Sequence, residues 1–198
     1  MKYLEKIQIL LPLGYLYLIL LGLLNESIQY HQLGINILNY SSITDILISP
    51  ISEIFSSPKL IIVIVVLFGF FFVIQFLLVK NSHTTLAQKI LGNRFNQDTG
   101  KKEIQKFIFP FVIMAVALEL LAIFVGLGIA GGDKISKKIS KNDFSYNYTL
   151  NFSSGKSKNV YMFDLNSTYC FYVTKENKHI QIAPVETISN LELISNKN

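Results

Sequence analysis

Three long stretches of this sequence carry almost no charge, and they limit the fold more than any other feature. The clearest begins at Ser57-Pro58, an N-cap followed by a proline suited to the first helical position, and runs without a charge from Leu60 to Val79. From Pro58 to Val79 is 22 residues, roughly 33 Å of helix, against a hydrocarbon core of about 30 Å. A second stretch, Ile7–Leu24, is punctuated by Pro12, Gly14 and Gly22. A third, Phe107–Ala130, contains one charged residue, Glu119, and is followed by Gly131-Gly132, a pair that predicts a helix stop. These stretches predict transmembrane helices over residues 7–24, 58–79 and 107–130. Lys2 and Lys6 ahead of the first run resemble a signal peptide, but Asn25-Glu26-Ser27 offers no small-residue cleavage site, so an uncleaved anchor is expected.

Composition agrees. Hydrophobic residues make up 51% of the chain and charged residues 16%, against about 25% charged in an ordinary soluble domain. Arg94 is the only arginine among 18 basic residues. That argues against bidentate phosphate recognition and nucleic acid as a partner, and leaves the lipid bilayer as the expected environment. The abundance of Lys, Asn and Ile fits an AT-rich, bacterial source. Cys170 is the only cysteine, so no intrachain disulfide or cysteine metal site can form.

The segments between the spans have distinct characters. Residues 34–55 are apolar for a loop and predict an interfacial helix lying on the membrane. Ser42 and Asp45 form a capping box to open it, Pro50 interrupts it, and Tyr30 and Tyr40 are suited to headgroup depth. Residues 80–106 are polar and basic, with a short helix expected over Thr84–Leu91 and a turn at Asp98-Thr99-Gly100. Residues 133–143 read as a charged linker. From 144 to 198 the period changes to two, and strands are expected at Tyr146–Phe152, Asn159–Leu165, Thr168–Thr174, His179–Pro184 and Ile188–Ile194. Alternation puts Tyr169 and Phe171 on one face and Cys170 and Tyr172 on the other. So small a domain is expected to lean on the membrane part, the first loop or another subunit. The fold expected is an α-helical integral membrane protein, with three transmembrane helices and an interfacial helix in a membrane domain over 1–132, followed by a small antiparallel all-β domain.

Basic residues set orientation. The N-terminus and the second loop hold eight, whereas the first loop and residues 134–141 hold five. The N-terminus and loop 80–106 are therefore expected in the cytoplasm, with the tail domain outside a bacterial inner membrane.

Glu119 is the residue that most invites a functional reading. It lies about 18 Å from either end of its run, where an ionised carboxylate facing lipid would be costly. Ala115, Ala122, Gly126 and Ala130 share its helical face, and their small side chains let another helix approach. Tyr17 is expected at similar depth on the first span, Tyr15 within a turn of it, and Gln75 nearer the cytoplasmic end. His31, His83 and His179 lack metal-ligand spacing, and no G-x-S-x-G, phosphate-loop or G-x-G-x-x-G motif occurs. No catalytic residue, metal or cofactor is therefore expected. The sequence supports a non-enzymatic membrane component that assembles through its helices, as a homo-oligomer or with a membrane-protein partner, and whose tail contacts a partner or signal. The alternative is an oligomeric cation channel with Glu119 facing the path.

Overall fold

The structure is a computed structural model, and it describes residues 2–82, 84, 89, 100–177 and 179–194, with the backbone alone of residues 2–7 and 9. The helix expected over Thr84–Leu91, the turn at 98–100 and His83 lie largely or wholly outside the described residues. Among the described residues there are four α-helices: α1 (Lys2–His31), α2 (Ile43–Ser56), α3 (Pro58–Lys80) and α4 (Lys101–Lys141). Three of them, α1, α3 and α4, are long and apolar enough to cross a membrane. A five-stranded antiparallel sheet follows: β1 (Tyr148–Phe152), β2 (Ser157–Leu165), β3 (Tyr169–Val173), β4 (Gln181–Pro184) and β5 (Ile188–Leu193). The chain divides into two compact units, Ser52–Ile123 and Met1–Ile51 with Phe124–Asn198.

The first unit is a helical hairpin. The C-terminal end of α3 packs on the start of α4, with Ile104 and Ile108 buried among Leu78, Val79, Phe107 and Val112. Elsewhere both helices present apolar side chains outward, among them Val65, Val66, Phe72, Ile113 and Leu118.

In the second unit, α1 and the C-terminal part of α4 cross at close quarters. A Cβ at Gly128 would stand 2.5 Å from the Asn25 carbonyl oxygen, and one at Gly132 would stand 2.5 Å from that of Gln29. Only glycine admits this approach. Gln32 Nε2 donates to the carbonyls of Ile129 at 3.1 Å and Gly128 at 3.3 Å. This contact explains two departures from the sequence reading. The helix does not stop at Gly131-Gly132, because those glycines are packing positions. The first helix likewise runs beyond Leu24 to His31, since its polar turns face α4 and the sheet. Residues 133–141, read as a linker, are helix.

The true stops are two Schellman motifs. In α1, Gly34 takes φ 74° while its N–H bonds the His31 carbonyl, and Ile35 N–H bonds that of Tyr30. In α4, Asn142 takes φ 55°, its N–H bonds Ile139, and Asp143 N–H bonds Lys138. Asparagine tolerates this left-handed conformation better than other residues with a side chain.

Helix α2 is continuous through Pro50. Proline has no N–H for the carbonyl four residues back, here that of Ile46. That carbonyl lies against Gly22, where a Cβ would fall on it. Ile46 and Pro50 are buried, whereas Ile48, Ile51 and Phe55 are exposed.

The sheet has the order β4-β3-β2-β1-β5. One face carries Leu150, Val160, Cys170, Tyr172 and Ala183, with Ile188 and Leu191 packed beside them. Every strand contributes, and among the described residues the cluster is built from strand residues, as in a sheet curled over its own core. Irregular register in β1 and β2 provides the bend. The other face rests on the helices: Val173 on Ile135, Ile139 and Phe144, and Phe171 on Tyr30 and Ile37. Alternation along β3 therefore separates Tyr169 and Phe171 from Cys170 and Tyr172 as the sequence implies, and the domain does lean on the first loop.

Candidate functional site

Two sets of residues stand out. The first is the open face of α4. The helix buries Val116, Phe124, Gly128, Ile135 and Ile139 along one side. Glu119, Ala122, Gly126 and Ala130 lie on another side and are exposed, and Ala115 is half-buried. A Cβ built on Gly126 would meet nothing within 4 Å. The small face thus stays uncovered among the described residues, and there Glu119 makes no hydrogen bond or ion pair.

Of the residues grouped with Glu119 in sequence, Gln75 belongs to the same unit. Gln75 shares a cavity of about 110 Å³ with Gln105, Phe72, Phe76 and Val79. On α4, Gln105 is fourteen residues from Glu119, roughly 21 Å along the axis, so Gln75 and Glu119 are not partners. Tyr15 and Tyr17 belong to α1, in the other unit, where Tyr15 is exposed and Tyr17 half-buried.

The second set joins α1, the first loop and α2 to the sheet. Asp45 and Ser42 form the expected capping box: Asp45 N–H donates to Ser42 Oγ at 3.1 Å, and Ser42 N–H donates to Asp45 Oδ2 at 2.9 Å. The same carboxylate accepts from Ser167, N–H to Oδ1 at 3.2 Å and Oγ to Oδ2 at 2.8 Å. Burial opposes charge on Asp45, but the bonds from Ser42 and Ser167 outweigh it and hold the carboxyl below its ordinary value. Asn166 Nδ2 donates to the Tyr40 carbonyl at 2.9 Å. The Tyr40 ring meets Tyr169 edge-on at 5.3 Å. Asp45 and Tyr40 are thus clamps on the turn between β2 and β3.

Tyr30 completes the joint. It is buried, and its hydroxyl donates to Asp164 on β2. The geometry depends on the bulge in β2. Met162 pairs with Tyr172, and Asp164 pairs with Phe171. One extra residue therefore puts both Phe163 and Asp164 on the helix-facing side. Nothing in the sequence signals a partner for Tyr30. The glycine crossing does leave a signal, Gly128-x-x-x-Gly132, although Gly131-Gly132 reads first as a helix stop.

Cys170 is buried in the sheet core, and burial, reinforced by the negative charge of Asp164, pushes its thiol up to about 11. Such a thiol is a core residue and a poor nucleophile. Among the described residues no three His, Cys, Asp or Glu side chains gather as a metal-holding group. No protein-family model, curated protein or solved structure matches this chain.

Proposed function

We propose that this is a non-enzymatic integral membrane protein that assembles through α4 and uses its sheet domain to contact a partner or signal. The carrying observation is Glu119, midway along an apolar run and exposed among the described residues. Facing lipid, a carboxylate at that depth is costly. A second helix seated on Ala122, Gly126 and Ala130 removes that contact and gains close packing. A second copy of the chain, or a membrane-protein partner, supplies it. On this reading α2 is interfacial, with Ile48, Ile51 and Phe55 turned to the acyl chains. The N-terminus and loop 80–106 face the cytoplasm of a bacterial inner membrane, and the sheet domain lies outside.

An introduced cysteine tests the assembly. Cys170 is buried, so Gly126→Cys supplies the accessible thiol. Oxidation in proteoliposomes is expected to yield a disulfide-linked dimer, and Gly126→Leu is expected to shift the protein to monomer while leaving it folded. Monomer throughout, with no cross-link, would overturn the self-assembly reading.

A second reading, an oligomeric cation channel, is favoured by Glu119 being the sole charged residue in its run. Several copies would place these carboxylates in a ring. Flux from liposomes separates the two: a cation leak lost in Glu119→Gln supports the channel, and silence from inserted, folded protein removes it.

A further inference from the structure

The sheet domain has a polar cavity of about 410 Å³, bordered by β2, β4 and the segment after β3. Four oxygens of its lining already accept hydrogen bonds inside the protein, whereas among the described residues Gln181, Ser157 and Glu176 keep theirs open. Asn159 Oδ1 accepts from Thr149 Oγ1 at 2.8 Å. Asn177 Oδ1 accepts from His179 N–H at 3.0 Å. Thr174 Oγ1 accepts from Asn177 N–H at 3.2 Å, and Tyr146 Oη accepts from Lys175 N–H at 3.0 Å. The donors of these four groups have no acceptor among the described residues: two amide Nδ2 groups and two hydroxyl protons. Thr174 is 8% exposed and lines the cavity.

Charge points the same way. Lys158 lines the cavity, and the Lys175 ammonium sits 5.7 Å from the centre of the Tyr146 ring. Glu176 is the one carboxylate of the lining. Four unspent neutral donors and an ammonium match acceptor oxygens bearing negative charge. A single carboxylate on the lining disfavours a dianion and favours a positive or donor group at the ligand's far end.

We propose that this cavity is a binding site for a small monocarboxylate, its oxygens held by Tyr146, Asn159, Thr174, Asn177 and Lys158, and its donor end directed at Glu176. The site names a ligand class for the sensing half of the function proposed above and rests on that reading for its biological consequence. Binding is measurable on detergent-solubilised protein whether or not it assembles, so either idea can fail alone.

The test is calorimetric titration of the full chain with L-alanine, acetate, inorganic phosphate and maltose. L-Alanine is expected to saturate in the millimolar range, about −4 kcal/mol, with acetate weaker and maltose silent. Lys158→Gln is expected to weaken L-alanine about tenfold, since it removes the one charged donor. Lys158 is exposed and makes no hydrogen bond among the described residues, so the substitution leaves folding intact. Thr174→Val is expected to weaken it as well, and Thr174→Ser to restore it. No saturation up to about 100 mM, an affinity unmoved by Lys158→Gln, or phosphate or maltose binding as tightly as L-alanine would each overturn the proposal.

Discussion

The α3–α4 hairpin and the unit built around α1 and the sheet share one helix but hold together by different means. In the hairpin the buried apolar cluster is aliphatic and aromatic, with Gln75 and Gln105 beside it, and any of several apolar residues would serve in that cluster. In the other unit, glycines set a crossing distance, a glutamine bonds two carbonyls, and a tyrosine on α1 reaches a carboxylate on the sheet. If the hairpin is immersed in lipid, its side chains exchange one apolar neighbour for another, and only packing stabilises it. The sheet face buries apolar surface from water and gains the full transfer free energy. Generic contacts suffice in the first setting, and specific ones are required in the second.

Substitutions can break or sharpen this contrast. The largest effect is expected from Phe171→Ala, which empties the centre of the sheet–helix contact. A loss of about 3–5 kcal/mol follows from such a cavity, measurable by denaturant unfolding in micelles. Leucine at Gly128 or Gly132 comes next, at about 3 kcal/mol or more, because neither backbone can retreat. The same change at Gly126 is expected to leave monomer stability alone. Tyr30→Phe should cost about 1–2 kcal/mol by leaving one oxygen of the half-buried Asp164 carboxylate without its donor, while the other keeps the Leu165 N–H. In the hairpin, Ile108→Ala should cost only about 1 kcal/mol if the surroundings are lipid. A cost equal to that of Phe171→Ala would mean that the hairpin is driven by water exclusion after all.

The smallest effect concerns pH. Folding lowers the Asp45 carboxyl, so its contribution is complete above the ordinary value of 3.8 and fades as pH falls through the lower, folded value. Asp45 is largely solvated, which limits the gain to under about 1 kcal/mol. Unfolding followed from pH 6 down to pH 2 should show that decline in the wild type and lose it in Asp45→Asn.

How much of this was legible in the sequence depended on the range of the interaction. Period-two alternation located all five strands, and the apolar runs located the long helices. The Ser42–Asp45 capping box acts over three residues and was readable, but the hold of the same carboxylate on Ser167 spans 122 residues and was not. Helix ends failed for a similar reason. Gly131-Gly132 has the local composition of a stop, and it lies within a helix because a distant segment needs its bare backbone. The actual stops at Gly34 and Asn142 depend on single left-handed residues that occur as often in ordinary turns. Asp164 was beyond reach, since a one-residue bulge decides which side of the sheet it faces.

The glycine crossing also bears on biosynthesis. Gln32 meets Gly128 across 96 residues of chain, and Tyr30 meets Asp164 across 134. The polar turns of α1 are therefore made long before either partner exists. Contacts of such separation form late, whereas α3 and the start of α4 are near neighbours in the chain and can pair as they emerge. During that interval Asn25, Gln29, Gln32 and Tyr30 must be sheltered by water or by another protein. A nascent chain from which the start of α4 has emerged but Gly128 has not should hold a formed hairpin and an unfinished α1, and that intermediate is where a chaperone would find its substrate.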